Sequence, residues 1–123
     1  MIYKITIEGT IPSKKNSRMT FCRGGRPISL PSNRHRDWHK DASLQLKNQN
    51  LPEDPILHCT MAMTIFAKDK RRFDLSNRFE SVADLFVDCG VLADDSVDVM
   101  PDVRMIYGGI DKVKPRAEIE IEI

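Results

Sequence analysis

Six oxygen-bearing side chains stand at spacings that suit phosphate chemistry: Asp74, Asn77, Glu80 and Asp84, then Asp94 and Asp95 a short way on. On a helix, residues 77, 80 and 84 follow steps of three and four and line one polar stripe. Glu80 and Asp84 repel one another there unless a cation, a basic side chain or solvent screens them. Hard oxygen ligands of this kind suit Mg²⁺ or Mn²⁺ rather than zinc. Such an ion meets the needs of phosphodiester hydrolysis, because it neutralises charge gathering on phosphate oxygens and acidifies a bound water. The ordinary alternatives are that Asp74 only caps a helix, since it sits where a basic loop meets a helix start, and that the stripe is a solvated acidic face.

Charge along the chain supports a polyanionic partner. The formal net charge is +1, yet residues 1–50 hold ten Lys or Arg against three Asp or Glu, while residues 51–100 hold five against ten. A basic arm and an acidic cluster on one face suit a polyanion held by cations and processed at a metal site. Cys22, Cys59 and Cys89 lack CxxC spacing and are joined by only three histidines, at 35, 39 and 58, which argues against a disulfide framework or a zinc finger. The first residues alternate and form neither a signal-like apolar run nor a membrane span, so the cytoplasm is the expected compartment.

The elements that must position these side chains follow from periodicity. At 123 residues and 41% hydrophobic the chain fits one domain, 1–123. Tyr3, Ile5 and Ile7 alternate with polar residues and predict a strand ended by Gly9. Residues 11–33 carry three prolines, Gly24–Gly25 and five basic side chains, and predict a long excursion or an irregular hairpin that binds something. Asn33 is a candidate cap for a helix over 34–47, with Trp38, Ala42, Leu44 and Leu46 available for packing. A strand is expected over 56–66, with Leu57, Cys59, Met61, Met63 and Ile65 on one face. The spacing of Phe79, Val82, Ala83 and Phe86 predicts a helix over 76–89, with Gly90 as the left-handed residue after it. Val97, Val99, Val103, Met105 and Tyr107 favour a strand directly after Asp94–Asp95, with an edge or bulge at Pro101. A turn over 108–115 and a last strand carrying Ala117, Ile119, Ile121 and Ile123 complete an α+β fold: a mixed sheet of about four strands with two main helices on one face.

The stretch RRFDLSNRFESVADLFVDCGVLADD resembles the central motif of the RusA-type Holliday junction resolvases, crossover junction endodeoxyribonucleases in which a basic run leads to Asp-x-Asp-Asn, a helix, a glycine and an Asp-Asp pair. The likeness extends weakly over the chain, through an N-terminal strand, the PSKKN loop, a basic helix and a final strand pair. It implies a homodimeric, magnesium-dependent hydrolase of recombination and repair that makes paired nicks in four-way DNA junctions. By the resemblance, Asp74, Asn77 and the Asp94–Asp95 pair match the motif, and Asp84 matches a further helix aspartate. Two positions depart: Ser76 stands where the motif has its second aspartate, and Glu80 where it has a lysine. Asp74 and Asp95 are accordingly the principal expected metal ligands, with Asp94 and Glu80 beside them and Asn77 orienting a water or a phosphate. Glu80 can supply the carboxylate lost at Ser76. The missing cation must then come from Lys70, Arg71, Arg72 or the N-terminal loop.

No helix-turn-helix, zinc-finger or basic-zipper spacing is present, so contact with DNA is expected to be chiefly to phosphate. The candidate footprint is Lys14, Lys15, Arg18, Arg23, Arg26, Arg34, Arg36, Lys40, Lys70, Arg71 and Arg72. Phe73, beside Asp74, is a candidate wedge at an opened base, and Trp38 and Phe21 are weaker ones. Two other readings compete: a catalytically weak or inactive junction-binding protein, and a structural or regulatory protein whose acidic face meets a protein partner. A C₂ dimer suits a symmetric junction, with the strand over 56–66, the helix near 76 and the last strand all open as its interface.

Overall fold

Alternation of apolar and polar residues builds the sheet. In a computed structural model, residues 1–13, 18–31 and 33–123 are described, with 18–23 and 26–31 described as backbone. The elements run β1 (Ile2–Glu8), β2 (Arg18–Arg23), β3 (Arg26–Pro31), α1 (Asn33–Lys47), β4 (Thr60–Ala67), α2 (Leu75–Asp88), β5 (Asp102–Ile110) and β6 (Arg116–Glu122). Strands β1, β6, β4 and β5 lie side by side in that order, antiparallel except for the parallel β4–β5 pair. A parallel pair needs a long crossover, and α2 supplies it. The result is a single α+β domain with a four-stranded mixed sheet and two main helices, as its periodicities predict. The basic excursion forms a separate two-stranded hairpin, β2–β3, turning at Gly24–Gly25.

Among the described residues only one sheet face is covered. Ile5 pairs with Ile119 and Ile119 with Met63, and the neighbouring rows Ile7, Ala117, Ile65 and Ile121, Met61 extend this buried layer. Trp38, Ala42 and Leu46 of α1 and Phe79, Val82 and Phe86 of α2 close over it in one continuous core. The opposite face presents Lys4, Thr64, Arg104, Glu118 and Glu120 around an open depression. The end of α1 and the residues just after it also seal the outer edge of β1 at Thr6 and Glu8. Gln49 accepts from the Thr6 N–H at 2.8 Å and donates to the Thr6 carbonyl at 2.7 Å, and Gln45, one turn earlier, does the same for Glu8 at 2.7 and 3.1 Å. An edge strand's unpaired groups are otherwise a template for aggregation.

Several local expectations are corrected. Strand β4 begins at Thr60, because Ile56 is drawn out of line into a single parallel bridge with Leu92. Leu57 therefore points to solvent, at 76% exposure. Leu44, on the outer side of α1, is exposed as well, as is Val97. The strand after Asp94–Asp95 starts only at Asp102, since residues 96–100 turn back on Ser96 through the Val99 and Met100 N–H groups. It then runs to Ile110, so the turn is confined to 111–115 rather than 108–115. Between Ile65 and Phe66 the register with β5 slips by one, leaving Gly108 as the extra residue of a bulge. A Cβ on Gly108 would lie 2.7 Å from the Phe66 ring, so any larger residue there requires the ring to shift. No described helix is long and apolar enough to cross a membrane.

Candidate functional site

The site is organised by α2 and the two segments that flank it. Asp74 occupies the position before α2 in extended backbone, φ −90° and ψ 126°, yet its carboxylate makes no cap hydrogen bond to the helix. Asn77 donates to it at 3.3 Å instead, and the Asp74 side chain stays exposed. An acidic residue at this end is favoured by the helix dipole. With the capping role unfilled, its oxygens face solvent beside Arg72, Phe73 and Asn77, around an open cavity of about 460 Å³.

One turn along, Glu80 and Asp84 line a second open cavity, of about 320 Å³, together with Phe79, Ala83, Met100 and Asp95. Asp95 reaches it because its loop is pinned at both ends. At the near end α2 closes with Gly90 at φ 75°, the Val91 N–H donating to the Phe86 carbonyl and the Gly90 N–H to that of Val87. This pairing is a Schellman motif, with its two orphan carbonyls satisfied. Buried Val91 and Leu92 follow, and the Ala93 N–H donates to Ile56 at 3.0 Å. At the far end the Cys59 N–H donates to Val99 at 2.8 Å. Asp94 and Asp95 project from the loop so held, and only Asp95 lines the cavity. Glu80 and Asp95 have no ion-pair partner among the described residues; Asp84 has an interaction of its own.

The basic arm is rooted on the same helix. Ser81, fully buried, donates to the Pro12 carbonyl at 2.7 Å, and the Arg78 guanidinium donates to the Ile11 carbonyl while lying 5.3 Å from the Phe73 ring centre. The acidic stripe thus runs between the arm's root on one side and the Asp95 loop on the other. Burial pulls the Arg78 guanidinium below its ordinary range, and the charge of Arg34 adds to this. Arg78 was not among the sequence candidates. Its place inside a helical acidic motif hid a cation that faces the arm, and the only signal in the sequence was its position one residue from the Asn77–Glu80 stripe.

The other predicted groups fall as follows. Lys14 and Lys15 lie outside the described residues; Arg18, Arg23 and Arg26 belong to the β2–β3 hairpin, Arg23 and Arg26 opposite one another at its turn. Arg34, Arg36 and Lys40 are exposed on α1, where Arg36 donates to the Asn33 side chain that opens the helix. Lys70, Arg71 and Arg72 are exposed ahead of Asp74, with Arg71 3.9 Å from Asp69. Ser76 is exposed in the first turn of α2. Trp38 is buried against His35 in the core, which removes it as a stacking platform. Phe73 is half-buried and stays accessible.

The predicted acidic set is therefore split between two neighbouring hollows, Asp74 with Asn77 and Glu80 with Asp84 and Asp95. Among the described residues no three His, Cys, Asp or Glu side chains converge as a ready-made ion cage. The donors nonetheless fit a hard cation chemically: all are oxygens, all are open to water, and a Mg²⁺ ion that keeps several waters needs only one or two direct carboxylates. Of the described cysteines Cys59 is buried, which pushes its thiol up, and Cys89 lies at the far end of α2, so neither serves the site. No protein-family model matches the chain, and no curated protein matches it either.

Proposed function

We propose that the chain is a metal-dependent endonuclease of the RusA type, hydrolysing phosphodiesters in branched DNA such as four-way junctions. The observation that supports this most is the gathering of Glu80, Asp84 and Asp95 around one cavity, on the helix that Asp74 precedes with its carboxylate free of any cap bond, and beside the root of a basic arm. Asp95 and Asp74 are the residues that would hold Mg²⁺ or Mn²⁺, with Glu80 taking the role left vacant at Ser76 and Asp94 beside them. When bound, the ion supplies charge neutralisation at the phosphate and a water acidic enough to act as nucleophile. Asn77, hydrogen-bonded to Asp74, fixes that carboxylate and offers an amide to a phosphate oxygen. Lys70, Arg71 and Arg72 supply the positive charge the motif otherwise takes from a lysine, and the hairpin and α1 extend the phosphate contact. Two copies related by a twofold axis match the symmetry of a junction.

Metal titration tests the ligand assignment. Mg²⁺ or Mn²⁺ binds the wild type and binds Asp74→Asn and Asp95→Asn much less well, with circular dichroism showing all three folded. Equal binding by the three proteins would reject these ligands. Failure of the folded wild type to cut junction, flap or duplex DNA in either metal, while still binding the junction, would leave the binding-only reading in place.

A further inference from the structure

Beside Asp74 the surface is aromatic, with Phe73 lining the same hollow. Phe73 meets Tyr107 of β5 edge to face, with ring centres 5.9 Å apart and planes at 67°. Tyr107 is 50% exposed although it shares a sheet face with the buried Ile65, its register partner. β5 is an outer strand, and no further described strand pairs beyond it on that side. Met105, two residues back on the same face, is also exposed. Around the aromatic pair the charge is positive: Arg78 lies against Phe73, and Arg72 lines the Asp74 cavity with no carboxylate partner among the described residues. A flat π surface bordered by guanidinium groups matches a nucleobase attached to its phosphates.

We infer that Tyr107, braced by Phe73, is a stacking platform for one unpaired nucleobase of a DNA strand, and that Arg72 takes the phosphate beside it. This inference rests on the nucleic-acid reading above and narrows its substrate to DNA that carries an unstacked base near the scissile phosphate. A T-shaped contact with Phe73 covers at most one face of the Tyr107 ring and leaves the other for the base. The adjacent phosphate then lies toward Asp74.

The test uses the full chain in EDTA, so that binding is read without cleavage. The probe is a DNA duplex carrying 2-aminopurine at a single-base bulge, compared with the same duplex fully paired. Wild type is expected to bind the bulged probe about 10-fold more tightly than the paired one, with quenching of 2-aminopurine by the stacked ring. Tyr107→Ala loses that preference and the quenching while its affinity for paired duplex is unchanged. Tyr107→Leu, which keeps apolar bulk against Phe73 but has no ring, behaves like the alanine variant, and Tyr107→Phe stays within about twofold of wild type. Retained quenching in Tyr107→Ala, or equal losses on bulged and paired DNA, would overturn the platform. So would a change in oligomeric mass in Tyr107→Ala with DNA binding intact, which would assign the patch to a second copy of the chain. Quenching by a protein that cuts nothing in Mg²⁺ would support the platform and count against the nuclease reading alone.

Discussion

Replacing Glu80 by glutamine separates a working carboxylate from a surface one, because stability and function are expected to move in opposite directions. Glu80 is exposed, has no ion-pair partner among the described residues, and stands one turn from Asp84 and across a cavity from Asp95. Removing its charge breaks no described ion pair and relieves an i,i+4 repulsion worth about 0.2–0.5 kcal/mol. Glutamine is nearly isosteric and has similar helix propensity, so the folded state gains a few tenths of a kcal/mol and loses nothing. A group that holds or orients a metal, by contrast, typically contributes 10–100-fold to affinity or activity. Cleavage of a synthetic four-way junction in Mg²⁺ should then fall by about 100-fold, while metal-free junction binding stays constant or improves slightly as a negative charge leaves. Single-turnover cleavage and urea unfolding of the same two proteins measure both halves. Full cleavage activity in Glu80→Gln would refute the idea that Glu80 makes good the carboxylate missing at Ser76. A loss of stability above about 1 kcal/mol would show that Glu80 has a packing role its surroundings do not account for.

Three further outcomes are expected. Ser81→Ala leaves the buried Pro12 carbonyl without its donor and costs about 1–3 kcal/mol; urea unfolding measures it, and a value within about 0.5 kcal/mol of wild type would mean that this bond does not anchor the arm. The Asp111 carboxyl is held below its usual range chiefly by the Lys114 N–H, then by the Arg116 guanidinium and the Val113 N–H. Its contribution is therefore present above the unfolded carboxylate value of about 4 and is lost as pH falls through the lower folded value, so Asp111→Asn should show a shallower acid limb in unfolding midpoints as pH falls below about 4. Parallel curves for the two proteins would contradict this. Removing the charges of Lys14, Lys15 and Arg18 together should flatten the salt dependence of junction binding, the slope falling by about 0.9 for each phosphate that no longer meets a cation; an unchanged slope places the DNA surface elsewhere.

What the chain's periodicity made legible was the buried layer. The alternation at residues 3–7, 59–65 and 117–121 identified the inward faces of three strands, and the 79, 82, 83, 86 spacing identified the packed side of α2, because side-chain direction within one element is a local property. What it missed were interactions between elements distant in sequence. Leu57 reads as the first inward residue of a strand until Ile56 is drawn to Leu92, which no local pattern around either residue signals. Gln45 and Gln49 read as an ordinary polar helix end, yet they complete the hydrogen bonding of β1. The acidic site was legible as a set of residue types but not as an arrangement. The turn at 96–100 delays the strand after Asp94–Asp95, and with it the assumption that a strand's alternation orients the pair.

The two edges of the sheet show how the fold assigns its surfaces. Both β1 and β5 end a four-stranded sheet, and both carry backbone groups that a fifth strand could pair. On β1 the groups of Thr6 and Glu8 are met by Gln45 of α1 and by Gln49 just beyond it, so that part of the edge is closed from within the chain. On β5 nothing described does the same, and Met105, Ile106, Tyr107 and Ile110 remain exposed along it. The open edge is also the strand reached by the β4–α2–β5 crossover, whose helix carries Asn77, Glu80 and Asp84 and whose connecting loops carry Asp74 and Asp95. Carboxylates, exposed aromatic surface and exposed cations therefore collect on one crossover unit, while α1 lies by the opposite edge of the sheet. A fold that places its sealing hydrogen bonds on β1 leaves the side beside Asp74 accessible, as the proposed contact with a nucleic-acid strand requires.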